Sequence, residues 1–230
     1  MFDQKYIEQV LLLLQCIPTV SQESCFAMKG GSAINLFLRD MPRISVDIDL
    51  VYLPIESRES SLAGIATALR NIKKSINRNI NGITVQEKHI QGHLTKLTVI
   101  SQKAEIKIEP NLVLRGVLGH PARRDLCTAA QTFFEVFCST PVAPDGDVYA
   151  GKLCAALDRQ HPRDLFDVRL LLDDSGITAD IRRAFVVYLA SHNRPIEEIL
   201  KPKVQDLTAA YESDFTGMVH NPPDIHELKA

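Results

Sequence analysis

The first 110 residues alternate between helical and strand-like hydrophobic patterns. Apolar residues at helical spacing predict a helix from about residue 4 to 16, and a longer helix over 60–79. Three strands, 83–90, 94–100 and 104–109, follow it, and the turn formers Asn-Gly and Gln-Gly lie between them. These patterns predict an α+β fold in which a mixed or antiparallel sheet is flanked by helices.

The last third of the chain is predicted to be helical. The segment 139–147 is rich in turn formers, so we place a domain boundary there and expect one domain over 1–144 and a helical domain over 145–230. The helices of this second domain are predicted over 147–159, 162–173 and 178–191, with two shorter ones after Pro195 and Pro202. The last residues, from Pro222-Pro223 onward, are expected to be loose.

A strand with two carboxylates on one face precedes the long helix. Val46, Ile48 and Leu50 alternate with Asp47 and Asp49, so the aspartates share the face opposite the apolar side chains. Two such carboxylates repel each other unless a cation lies between them. Because Mg²⁺ takes oxygen ligands from one or two carboxylates and from substrate phosphates, the pair predicts a metal site.

A glycine segment, Lys29-Gly-Gly-Ser-Ala33, lies just before this strand. It follows a short apolar run at 26–28 and precedes a predicted helix at 33–38, so Gly30 and Gly31 would turn the chain and present backbone N–H groups to an anion. Ser32 would cap the helix or bind a phosphate oxygen. A tight turn and a surface Asp-x-Asp explain either half alone, but together and in this order the two halves favour a metal–phosphate site.

The third predicted strand of the meander offers a further carboxylate. In Glu105-Ile-Lys-Ile-Glu109 the two isoleucines face one way and the charged residues the other. If this strand lies beside the Asp-x-Asp strand, Glu109 or Glu105 would complete a metal-binding triad. We choose Glu109, because it lies at the strand end, where Pro110 is expected to end the pairing. An ordinary exposed face with alternating charge is the alternative.

A second group of charged residues lies on the predicted C-terminal helices. Lys152 is surrounded by apolar residues and therefore needs a carboxylate or a phosphate as a partner. We assign Lys152 and Asp167 to the site, whereas Asp164 is expected to form an internal bridge with Arg159 or Arg163.

Charge and cysteine content narrow the class of protein. The net charge is −2, so the whole molecule is not a polycation. A basic face on the long helix (Arg70, Lys73, Lys74, Arg78) is either a solvated surface or an electrostatic surface for phosphates. The 5 cysteines form no C-x-x-C pair, which favours a reducing cytoplasm, and neither a signal peptide nor a membrane association is predicted.

These motifs resemble those of the AbiEii-type nucleotidyltransferase toxins and the related MenT-type toxins of bacterial abortive-infection and toxin–antitoxin systems. The resemblance spans about residues 26–170 and rests on Lys29-Gly-Gly-Ser32, Arg43-x-Ser45-x-Asp47-Ile-Asp49-Leu50, Ile106-Lys-Ile-Glu109 and Lys152-Leu153…Arg163-Asp-Leu-Phe-Asp167. It implies a DNA polymerase β-like nucleotidyltransferase domain followed by a helical domain. It also implies that Gly31 and Ser32 hold the triphosphate, that Asp47 and Asp49 bind Mg²⁺ or Mn²⁺, that Lys152 contacts phosphate, and that Asp167 is essential.

The resemblance further implies transfer of a nucleoside monophosphate from an NTP to an acceptor. The expected acceptor is RNA, in particular a tRNA 3′ end, and a cognate antitoxin is an expected partner. Two alternatives remain: nucleotidylation of a protein or small molecule, and a non-catalytic nucleotide-binding subunit. The retained glycines, Asp-x-Asp pair and Lys152 argue against the second alternative.

Overall fold

A seven-stranded mixed sheet forms the centre of the molecule in a computed structural model that describes residues 1–228. The strand order is β3-β4-β5-β2-β1-β7-β6; β2 pairs with β5 and β1 with β7 in parallel, and the other pairs are antiparallel. The strands are β1 (Phe26–Lys29), β2 (Ile48–Tyr52), β3 (Thr84–Ile90), β4 (His93–Ile100), β5 (Glu105–Arg115), β6 (Ala122–Asp125) and β7 (Ser139–Val142). The predicted mixed sheet and its antiparallel meander are confirmed.

The helices flank this sheet and then continue alone toward the C-terminus. Ser57 caps α3 by accepting a hydrogen bond from the Ser60 amide, and Pro162 occupies the first turn of α6 as predicted. The helices are α1 (Gln4–Val20), α2 (Gly30–Ala33, continued by a π-helical turn over Ile34–Leu38), α3 (Arg58–Asn79), α4 (Thr128–Phe134), α5 (Asp145–Arg159), α6 (Pro162–Asp174), α7 (Ala179–Ala190), α8 (Ile196–Leu200) and α9 (Thr208–Asp214).

The structure corrects the prediction that Pro110 ends the third strand of the meander. β5 continues through Pro110 to Arg115, and Pro110 lies opposite Leu50 in the ladder with β2. The register of that ladder shifts directly after this pair, and such an irregularity accommodates a residue without an N–H donor. The short elements β6, α4 and β7 were not predicted, and β6 in particular is exposed throughout and has no apolar alternation.

The two faces of the sheet differ in character. Buried residues of α1 and α3 share one hydrophobic core with Leu97, Ile106 and Ile108; α3 packs on β3 and β4, and α1 packs on β5. Asp49 and Glu109 alternate with these apolar residues and therefore lie on the opposite face, toward α5 and α7. The carboxylates and α3 thus lie in different layers.

The predicted boundary after residue 144 falls between β7 and α5. The main core nevertheless extends across it, because Val148, Tyr149 and Leu171 pack with residues of the sheet. The division into two domains stays a prediction. The prediction of a loose tail is wrong for the described residues, since Leu228 is buried in a cluster with Phe166 and Phe215.

Within residues 1–228, none of the helices combines the length and the apolar character that crossing a membrane requires.

Candidate active site

The two glycines after β1 bring backbone and carboxylate unusually close together. Gly30 has φ +71°, and a methyl group added there would lie 2.1 Å from Oδ2 of Asp49. A methyl group on Gly31 would lie 2.6 Å from Oγ of Ser45 and 2.9 Å from Nη2 of Arg43. Glycine is therefore required at both positions, although the pair forms the first turn of α2 rather than a separate turn before a helix.

Asp47 and Asp49 lie at the start of β2 on the wall of a cleft. Burial raises the pKa of both carboxyls, Lys107 opposes this shift at Asp47, and Lys29 opposes it at Asp49. Among the described residues neither carboxylate has a hydrogen-bonding or ion-pairing partner. The charge of Glu109 raises the pKa of both carboxyls further, and the charge of Asp47 raises that of Asp49. A partly buried carboxylate pair without an ion-paired cation fits a divalent metal ion.

Glu109 lies opposite Asp49 in the parallel ladder between β5 and β2. The strand pairing that a third carboxylate at Glu109 requires is therefore present. The carboxylate of Glu109, however, forms an ion pair with Nζ of Lys96 at 2.7 Å. Within residues 1–228 no three His, Cys, Asp or Glu side chains are arranged to hold a metal, so the predicted triad is not assembled. Glu105 lies at the other end of β5 and is exposed. Metal binding by Glu109 stays a prediction.

Ser32 has a structural contact that the sequence did not predict. It is fully buried, and its hydroxyl donates to the backbone carbonyl of Asp47 at 2.6 Å and to Oγ of Ser45 at 3.1 Å. It does not cap α2, and its side chain does not line the cleft. Ser32 therefore fixes the backbone that carries Asp47, and its predicted contact with phosphate stays a prediction.

A buried ionic network joins the glycine segment to α5 and α6. Nζ of Lys152 lies 2.8 Å from Oδ1 of Asp164 and 3.0 Å from Oδ2 of Asp167. Arg159 also donates hydrogen bonds to Asp164, so of the two predicted ion pairs of Asp164 the one with Arg159 is formed. Burial opposes ionisation of Asp164, but Lys152 and Arg159 outweigh it and hold the pKa of that carboxyl well below its usual range.

Asp167 lies at the centre of this network and not on the wall of the cleft. It is fully buried and accepts two hydrogen bonds from Arg43, at 2.8 and 2.6 Å, and one from Asn35 at 3.2 Å. Asn35 also donates to the carbonyl of Gly31 at 2.9 Å. Burial raises the pKa of Asp167, but Arg43 and Lys152 outweigh this effect and lower it below the ordinary value. This geometry suits a residue that positions Arg43 and Lys152.

The cleft has a volume of about 470 Å³ and lies between the carboxylate face of the sheet and helices α5 and α7. This is the size of a site for one small-molecule ligand. The two aspartates line this cleft, and so do five cationic residues: Lys29, Arg43, Lys152, Arg159 and Arg163. Such a combination suits a ligand that carries several phosphates together with a divalent cation.

Arg163, Ser45 and Lys29 are cleft residues to which the sequence analysis gave no role in the site. Arg163 was considered only for a bridge with Asp164, yet no carboxylate of the described residues lies within ion-pairing distance of it. Ser45 lies on the cleft wall against Gly31. Its place two residues before Asp47 is the signal that could have indicated a position on the same side of the chain. Lys29 lies over the ring of Tyr188, at 5.5 Å from its centroid.

Comparison with known proteins places this arrangement in a family. Residues 12–229 match the profile of the family described as nucleotidyl transferase AbiEii toxin, type IV toxin–antitoxin system. No curated protein sequence matches the chain significantly.

Two solved structures have a similar fold. The MenT4 nucleotidyltransferase toxin from Mycobacterium tuberculosis is 15% identical, with a TM-score of 0.70 over 98% of this chain and 80% of that one. JHP933 from Helicobacter pylori is 15% identical, with a TM-score of 0.55 over 99% of this chain and 88% of that one. At this identity the likeness establishes the fold alone, and it confirms the predicted nucleotidyltransferase architecture.

The family profile covers nearly the whole chain, including the glycine segment, the Asp-x-Asp strand and the network on α5 and α6. The chain therefore belongs to the AbiEii family of nucleotidyltransferase toxins of type IV toxin–antitoxin systems.

Proposed function

We propose that this nucleotidyltransferase transfers a nucleoside monophosphate from an NTP to RNA, at the 3′ end of a tRNA, and requires Mg²⁺ or Mn²⁺. The observation that carries the proposal is the composition of the cleft, which the unpartnered pair Asp47 and Asp49 lines together with five cationic residues. This arrangement suits a metal-bound triphosphate. A cognate antitoxin, which the family implies, would act by limiting this reaction.

Each side chain has a distinct part in the proposed reaction. Asp47 and Asp49 would hold the divalent cation, which supplies charge neutralisation at the reacting phosphate. Arg163 and Lys152 would bind the triphosphate, together with the N–H groups of Gly30 and Gly31. Asp167 would keep Arg43 and Lys152 in place without touching the substrate.

The chemistry is a substitution at the α-phosphorus. The hydroxyl oxygen of the acceptor forms a new bond to that phosphorus, the bond to the bridging oxygen breaks, and pyrophosphate leaves. The proton of the hydroxyl passes to a neighbouring carboxylate or to water. Placing both reactants in one cleft and stabilising the developing charge are the contributions that the protein makes.

The acceptor is tested by following radiolabel from each of the four α-labelled NTPs into total cellular RNA, protein and small molecules. Label in the tRNA fraction, removed by ribonuclease and not by protease, is the expected result. Label in protein or in a small molecule would replace RNA with one of the other acceptors, and nucleotide binding without transfer would indicate a non-catalytic subunit.

A further inference from the structure

The face of β3, β4 and β5 that lies away from α3 carries a row of lysines, and this row leads to the carboxylate pair. Lys88 on β3 lies opposite Lys96 on β4 in the antiparallel ladder. Lys96 pairs with Glu109 on β5, and Glu109 lies opposite Asp49 on β2. Because neighbouring strands lie about 4.8 Å apart, this row reaches from the edge of the sheet to Asp49 over about 14 Å.

A second row runs parallel to the first. Gln86 lies opposite Thr98, and Thr98 lies opposite Lys107, which directly precedes the pair formed by Ile108 and Ile48. Lys107 is the foremost charge lowering the pKa of Asp47, so its ammonium group lies near that carboxylate. The two rows form a polar surface with three lysines, and we call it the open face (Gln86, Lys88, Lys96, Thr98, Lys107).

The basic residues of α3 lie in another layer. The helix α3 packs on β3 and β4, and its buried residues share one hydrophobic core with Leu97 and Val99, whose side chains alternate with those of the open face. One of its cations, Lys73, already pairs with Glu87 at 2.9 Å, on the α3 side of β3. An electrostatic surface for phosphates on this helix face, one of its two interpretations from the sequence, would therefore lie away from the carboxylate pair.

We propose that the acceptor strand of the RNA lies across the open face, with its phosphates on Lys88 and Lys107 and its 3′ hydroxyl at Asp47 and Asp49. Charge complementarity and continuity with the carboxylates support this path, and the exposed edge strand β3 lets a long chain leave the molecule. The path rests on the proposed function, since it takes RNA as the acceptor.

The test compares two pairs of alanine substitutions that each remove two positive charges from the full-length protein. Lys88→Ala/Lys107→Ala changes the open face, and Lys74→Ala/Arg78→Ala changes exposed positions on α3. The probes are a fluorescein-labelled tRNA for binding and a fluorescent ATP analogue for the nucleotide site. Binding is measured over a range of salt concentrations.

The open-face variant is expected to bind tRNA about tenfold more weakly, with a salt slope reduced by about 1.4, since each phosphate contact on a single strand contributes about 0.7. Because Lys107 lies near Asp47, the nucleotide site is tested with Lys88→Ala alone, whose affinity for the analogue stays within about twofold of the wild type, and the α3 variant matches the wild type in both assays. The single variant Lys88→Ala, at the edge farthest from the carboxylates, raises KM for tRNA and leaves kcat unchanged.

Equal tRNA binding by the open-face variant and the wild type, or a loss only in the α3 variant, overturns the path while RNA remains the acceptor. A wild-type protein that neither binds nor labels tRNA overturns the path and the proposed function together.

Discussion

At the scale of single residues, the site depends on contacts that only small or charged side chains permit. Gly30 lies against the carboxylate of Asp49, and Ser32 holds the carbonyl of Asp47. The sequence identified these glycines and aspartates as candidates for the site, because their types and order are specific. It did not predict that the Ser32 hydroxyl binds backbone, or that Arg163 has no carboxylate partner, because such choices depend on side chains from distant parts of the chain.

Gly30→Ala is expected to abolish transfer through a contact and not through backbone strain alone. Gly82 has nearly the same φ, +72° against +71°, but has no atom within 4 Å of an added methyl group, so Gly82→Ala is the matched control. Each variant should lose about 1 kcal/mol of unfolding free energy from the left-handed conformation. Only Gly30→Ala should lose about a hundredfold or more in transfer rate; equal rates would contradict the contact.

Neutralising one carboxylate of the pair is expected to raise stability in the absence of metal and to weaken metal binding. Burial raises the pKa of Asp47 and Asp49, so the folded protein binds protons more tightly than the unfolded chain there, and the metal-free protein loses stability as pH rises through those values. Asp49→Asn should therefore raise the melting temperature of the metal-free protein at neutral pH while it weakens the stabilisation by bound Mn²⁺. Calorimetry with and without Mn²⁺ measures both, and a lower melting temperature without metal would contradict this account.

Because Mn²⁺ binds the ionised carboxylates, its affinity should fall on acidification, beginning above the pH range of an ordinary aspartate. Titration calorimetry between pH 5 and 7.5 would detect the change. An affinity independent of pH over this range would mean that the two carboxyl groups are ionised throughout.

At the scale of elements, α6 connects the glycine segment with the C-terminal helices. The one-turn spacing of Asp164 and Asp167 was sufficient to place both on one face, and their burial followed from the surrounding apolar residues. Their partners were only partly predictable: Arg159 was one of two choices, and Arg43 comes from a segment 124 residues away in sequence. Long-range pairing of this kind has no periodic signal.

Asp167→Ala should destabilise the protein far more than removal of another carboxylate from the same helix. It leaves the buried Arg43 and Lys152 without their shared partner, at a cost of about 3–5 kcal/mol. Asp174→Ala removes an exposed partner of Arg39 and should cost about 0–1 kcal/mol. Urea unfolding compares the two variants, and similar losses would show that the network contributes little to stability.

At the scale of the whole molecule, the sheet lies between α3 on its apolar face and the cleft with α5 and α7 on its carboxylate face. The antiparallel meander and the long helix were predictable from alternation and from helical spacing. The order of strands was not, because β2 and β5 pair in parallel across 52 residues of intervening chain, and β6 and β7 lack a clear pattern. That order decides which face carries the carboxylates, so the location of α3 in the opposite layer could not be predicted from the sequence.

The loss of unfolding free energy in acid should come from the buried ionic network of Asp164 and Asp167, and not from Asp47 and Asp49. The pKa values of Asp164 and Asp167 are lower in the folded protein than in the unfolded chain, so their contribution is complete above the ordinary aspartate pKa and is lost as pH falls below it. Unfolding free energy measured from pH 5 to pH 2 should fall, and Asp164→Asn should flatten this fall. An unchanged slope in the variant would contradict the assignment.

The central claim is that Asp47 and Asp49 form the centre of an RNA-directed nucleotidyltransferase. The most direct measurement incubates the protein with Mg²⁺, tRNA and each radiolabelled NTP, and compares the wild type with Asp47→Asn/Asp49→Asn and with Asp173→Asn/Asp174→Asn, which changes two aspartates exposed on α6. The account predicts label in tRNA with the wild type and the α6 control, and none with Asp47→Asn/Asp49→Asn. Label that persists without the two carboxylates, or that never enters RNA, would contradict it.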